Sequence, residues 1–71
     1  MDENKMLEKI DETAEKLYDK ATTMNLRADE AEESADREKE RFFRGAANSF
    51  LIASVMVGTL KAELLGGLPN D

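Results

Sequence analysis

The chain contains no cysteine, no histidine and no tryptophan, and it has one proline in 71 residues. Without cysteine there is no disulfide, and without cysteine or histidine there is no zinc site of the usual ligand set. The absence of histidine also removes the Glu-x-x-His pairs of helical di-iron centres. Ser34, Ser49 and Ser54 have no neighbouring base of recognisable type. No strand is expected, so no glycine-rich phosphate loop can follow one. The inventory points away from catalysis, from a cofactor and from a small-molecule substrate. Glycine is scarce as well: four in all, none between residues 5 and 44. The opening residues Met1, Asp2, Glu3 and Asn4 are acidic and polar, which argues against a secretory signal peptide.

What the chain has in abundance is charge, unevenly placed. Sixteen acids face ten bases, for a net charge of −6. Fourteen of the acids and eight of the bases fall within residues 1–41. An acidic chain is repelled by phosphate backbones and anionic headgroups, so direct nucleic-acid binding is not expected. After Arg44 the pattern reverses, and residues 45–60 carry no charge at all.

Residues 5–44 are rich in Glu, Lys, Ala and Leu, a composition that favours helix. Their apolar residues follow a heptad. Leu7, Ala14, Ala21, Ala28, Ala35 and Phe42 take a positions; Ile10, Leu17, Met24 and Ala31 take d positions, until Glu38 breaks the series. Alanine layers bury little area and let a second helix approach closely. A second register, offset by one residue, runs through Phe43, Ala46, Phe50, Ala53, Val57, Leu60 and Leu64. An ideal helix drifts ~20° per heptad, so one skipped residue could keep a single stripe along a straight helix of roughly 90 Å.

The expected fold is therefore all-α. A long amphipathic helix over about 4–44 precedes an apolar helix over about 46–65, kinked or continuous, with coiled-coil or helical-hairpin packing. Residues 1–71 form one unit, divided into a charged coiled-coil segment, 1–44, and an apolar interaction segment, 45–68. Gly45 is the first candidate break, with Ser49 able to cap a new helix. The poor helix formers of 22–25 are the second, with Asn25 as turn residue. Gly66, Gly67 and Pro69 mark the end.

Opposite the first seam runs an acidic ridge through Glu8, Glu12, Glu15, Asp19, Asp29, Glu33, Asp36 and Glu40, interrupted by Thr22 and Leu26. A solvated face explains it most simply; the alternative is a strip that docks in a basic groove. Asp29, Glu32, Glu33 and Asp36 lie at helical spacing, but a continuous helix lacks the glycine turn and carbonyl ligands of a calcium loop.

The uncharged run is too apolar to stand in water. As a membrane span its sixteen residues give ~24 Å against ~30 Å of hydrocarbon, so burial against protein is the favoured expectation. Ser54, Gly58 and Ala62 form a small-xxx-small ladder suited to close helix contact. The expected function is a cytoplasmic, non-enzymatic interaction or assembly protein: an adaptor, small chaperone or structural subunit. It would bury its C-terminal helix against itself as a homo-oligomer or against a helical protein partner. The expected partner-binding anchors are Phe42, Phe43, Phe50, Leu51, Val57, Leu60 and Leu64, with Leu7, Ile10, Leu17 and Met24 as the coiled-coil seam. A tail-anchored membrane protein with a coiled-coil stalk and a small acidic inhibitor are the alternatives.

In size and layout the chain resembles the small helical co-chaperones that shield type III secretion needle subunits. Those proteins pair a polar first helix with an apolar second one. The resemblance implies a partner-shielding role; a component of a viral or secretion assembly fits the same layout.

Overall fold

The computed structural model describes residues 2–66, which form an antiparallel helical hairpin of α1, Glu3–Glu33, and α2, Arg37–Gly66. The all-α expectation holds, with hairpin packing. The position of the reversal differs from both expected sites. Residues 45 and 22–25 are inside helices, and the turn falls at 34–36. A straight rod of roughly 90 Å is replaced by a molecule of 49 × 25 × 12 Å.

The ends of α1 are built from local chemistry. The Asp2 carboxylate accepts the Asn4 amide at 3.1 Å and caps the start of α1. At the other end the chain closes in a Schellman arrangement. The Asp36 amide donates to the Ala31 carbonyl at 2.9 Å, and the Ala35 amide donates to the Glu32 carbonyl at 3.0 Å. This places Ala35 in the left-handed region, at φ 59°. Glycine usually takes this position, because a Cβ there costs roughly 1–2 kcal/mol. Asp36 then caps α2: its side chain accepts the Lys39 amide at 3.1 Å, and its carbonyl accepts the Glu40 amide at 3.0 Å. Glu38 and Glu40 add negative charge to the first turn of α2, where the helix dipole favours it.

The residues expected to break the chain do other work. Thr22 and Thr23 stay in α1, and their hydroxyls donate to the carbonyls of Tyr18 and Asp19. This i−4 bond satisfies the side chain without ending the helix. Gly45 and Ser49 are exposed on the middle turns of α2, and Ser49 caps nothing. α2 ends at Gly66; Gly67, Leu68 and Pro69 lie outside the described residues. The helices therefore do not coincide with the charged and apolar segments, since residues 37–44 are charged but belong to α2.

The first heptad is accurate as far as the turn. Leu7, Ile10, Ala14, Leu17, Ala21, Met24, Ala28 and Ala31 are the residues of α1 that are buried or half-buried. Beyond the turn it fails: Ala35 is in the loop and Phe42 is 68% exposed. The offset between the two registers marks a reversal of the chain, not the drift of a straight helix. Among the described residues the buried side chains are all alanines: Ala21, Ala28, Ala31 and Ala47. Alanine lets the helix axes approach but buries little apolar area, so the hairpin core is thin.

Candidate functional site: the outer face of the second helix

Each helix presents one face to the other and one face outward, and the outward faces differ in kind. α1 carries ten acids and five bases; of its acidic ridge Glu8, Glu12, Glu15, Asp19 and Glu33 are exposed, as are Tyr18 and Leu26, whereas Asp29 reaches α2 through Arg44, and Asp36 and Glu40 lie beyond α1, in the turn and on α2. α2 carries three acids and five bases, all at its ends; residues 45–60 are uncharged around the whole circumference. α1 covers only one side of that stretch. Phe42, Leu51, Ile52, Val55, Met56, Leu60, Leu64 and Leu65 remain 42–68% exposed. Eight large apolar side chains left open along one helix are the mark of a surface that binds something.

The side of α2 that α1 does cover is held in register by polar contacts. Ser54 Oγ donates to the Ala14 carbonyl at 2.9 Å, and Lys61 Nζ lies 2.7 Å from Asp11 Oδ2. The Lys20 ammonium sits 5.9 Å from the Phe50 ring centroid, and the Arg27 guanidinium 6.0 Å from that of Phe43. Such cation–π contacts add about 0.5–1 kcal/mol each at exposed sites. Phe42 meets the Phe43 ring edge-on, with centroids 5.3 Å apart, and its own other face is open.

Near the turn, Arg44 reaches across to α1. Its guanidinium donates to Asp29 at 2.8 Å, to Asn25 Oδ1 at 3.1 Å and to Glu32 at 3.3 Å, with Glu40 at 3.8 Å. The hydrogen bond it donates to Asp29 and the surrounding carboxylates raise its pKa above the ordinary arginine value, so it stays cationic. Two members of the acidic cluster, Asp29 and Glu32, are thus engaged by Arg44, and Asp36 is engaged as a helix cap. Glu40 and Arg44 form an i,i+4 pair along α2. Arg27 covers Phe43, and Glu32 meets Arg44.

The expected anchors split into two groups. Phe43, Phe50 and Val57 are half-buried at the α1–α2 seam, where Leu7, Ile10, Leu17 and Met24 also lie. Phe42, Leu51, Leu60 and Leu64 are exposed. Ile52, Val55 and Met56, which are not among those anchors, stand well out from α1 at 52–67% exposure. A signal for Ile52 and Met56 was present: Phe42, Gly45, Ser49, Ile52, Met56 and Thr59 recur with alternating spacings of three and four. This second heptad lies on the opposite side of α2 from Ala47. The small-xxx-small ladder is divided in the same way. Ser54 contacts α1, whereas Gly58 and Ala62 are exposed and a Cβ added at Gly58 would meet nothing within 4 Å.

Among the described residues no group of three or more carboxylates is placed to hold a metal ion. α2 is the one described helix long and apolar enough, by length and composition, to cross a membrane. Comparison with known proteins returns no matching family, no matching curated protein and no matching solved structure.

Proposed function

We propose that the protein is a non-enzymatic helical interaction or assembly protein whose working surface is the outer face of α2. The observation that carries this reading is the two-sidedness of α2. One side is engaged by α1, while the other leaves Ile52, Val55 and Met56 in water. The hydrophobic effect drives such a surface to be covered. α1 has a supporting role in this reading: it shields one side of α2, and its acidic exterior keeps the hairpin soluble.

Several contacts favour a protein partner over a bilayer. Transmembrane insertion of α2 would break the Ser54–Ala14 hydrogen bond, the Lys61–Asp11 ion pair and the Arg44 cluster, because the charged α1 cannot follow into hydrocarbon. The uncharged run is also several ångströms short of the hydrocarbon thickness. The acidic-inhibitor alternative would use the ridge of α1 and leave the apolar face of α2 unexplained.

Expression of the full chain without detergent, followed by fractionation, tests the reading. Recovery from the soluble pool in an assembled form is expected, whereas recovery only from membranes would end it. Glu33→Lys should leave assembly intact. A greater loss of assembly from Glu33→Lys than from Ile52→Asp would transfer the function to the acidic ridge.

A further inference from the structure

We propose that the occupant of the outer face of α2 is a second copy of this chain, packed antiparallel so that large side chains fill the notches left by small ones. The inference rests on the interaction reading above and names its partner. The outer heptad consists of Phe42, Gly45, Ser49, Ile52, Met56 and Thr59, and all six are exposed. A two-fold axis between residues 50 and 51 sets Met56 against Gly45, Ile52 against Ser49 and Phe42 against Thr59 of the second copy. Each layer occurs twice, as an isologous interface requires. Every layer joins a large residue to a smaller one, the arrangement that lets facing side chains interdigitate. A parallel pair would instead set Gly45 against Gly45 and Ser49 against Ser49, leaving voids beside layers of paired Met56 and Ile52.

Three further observations agree. A Cβ added at Gly45 would meet nothing within 4 Å, so the space beside it is open to a neighbour's methionine. The intramolecular core, four buried alanines, is small for a chain with no disulfide, and oligomerisation is the usual remedy at this size. Charge sets no barrier along the seam, because residues 45–60 have none. At the seam ends Glu63 falls level with Glu38 of the second copy, where Arg37 and Arg41 lie within one turn on either side.

The test is the mass of the purified full chain by sedimentation equilibrium at tens of micromolar, with helicity followed by circular dichroism. Twice the chain mass is expected for the wild type. Ile52→Asp and Met56→Glu should each halve it while the helical signal of the hairpin persists. Because the chain has no cysteine, Ser49→Cys and Ile52→Cys supply the only thiols. Mixed together and oxidised, the two single variants should cross-link to each other far more than either does to itself. A folded monomer would overturn self-association and leave a different protein partner as the occupant. A dimer indifferent to both charge substitutions, or one in which each cysteine variant cross-links mainly to itself, would overturn the proposed packing. Co-sedimentation of the wild type with phosphatidylcholine–phosphatidylglycerol vesicles in place of dimerisation would overturn both this inference and the interaction reading.

Discussion

The two ends of the hairpin are packed by different means. Near the turn, Ala28 and Ala31 are sealed against α2 at 0–3% exposure, and Arg44 fastens the helices from the side. At the open end the facing residues are larger, yet Leu7 and Ile10 are only half-buried, and Leu60 and Leu64 stay about half exposed. One neighbouring helix can bury a methyl group completely. It cannot bury a leucine, which needs atoms on several sides. The end with more apolar area is therefore the end less completely buried, and that excess is what a further protein surface would cover.

This contrast can be broken or sharpened by substitution. The largest effect is expected from Phe50→Asp, which removes a seam aromatic from beneath Lys20 and puts a carboxylate in its place. Full truncation of a buried aromatic costs ~3–5 kcal/mol, and the whole core of such a chain supplies about that much. Loss of most helical signal in circular dichroism is expected, whereas Ile52→Asp, three-quarters of a turn away or less, should retain it. Next comes Ala28→Leu. Its side chain has no room against α2, and overpacking should cost about 1–3 kcal/mol, read as a fall in the urea midpoint. An unchanged midpoint would show that the turn end is looser than its burial indicates.

Ala35→Gly should act in the opposite direction. Removing the Cβ at a left-handed residue relieves roughly 1 kcal/mol, offset in part by the greater freedom of glycine in the unfolded chain. A modest rise in melting temperature is expected. The smallest effect is expected from Leu60→Ala, measured under conditions that keep the hairpin monomeric. Buried leucines lose about 2–5 kcal/mol on this change, but a residue half in water should lose well under 1 kcal/mol. Leu60→Ala as damaging as Ala28→Leu would erase the distinction between the two ends.

The same contrast explains what was legible from sequence. Both seams follow from heptad spacing, because burial on a helix repeats every three or four residues whether the partner helix belongs to another chain or to the same one. For that reason the heptad positions from Leu7 to Ala31 coincide with the buried and half-buried residues of α1, whereas spacing alone does not locate the chain reversal. The usual mark of a reversal is glycine or proline, and residues 34–36 are Ser, Ala and Asp. An alanine holds the left-handed position, so the composition around the turn reads as helix. Two weaker signs were available: Asp36 at an N-cap with Glu38 and Glu40 behind it, and the one-residue jump between registers. The jump admits either a drifting straight helix or a turn, and spacing alone does not choose between them. The outer heptad of α2 was masked for another reason. Gly45, Ser49 and Thr59 alternate with Phe42, Ile52 and Met56, so the stripe is apolar in shape but not uniformly in composition.

The claim on which all of this depends is that the outer face of α2 is covered by protein when the molecule is at work. Methionine oxidation measured by mass spectrometry on the intact, folded chain addresses it directly. Met56 is 67% exposed and Met6 41% exposed in the single hairpin, so an isolated molecule would oxidise Met56 at least as fast as Met6. The account predicts the reverse order in the assembled protein: Met56 protected relative to Met6, with the protection lost in Ile52→Asp. Rapid oxidation of Met56 in a fully helical wild-type chain, at the rate seen in that variant, would contradict it.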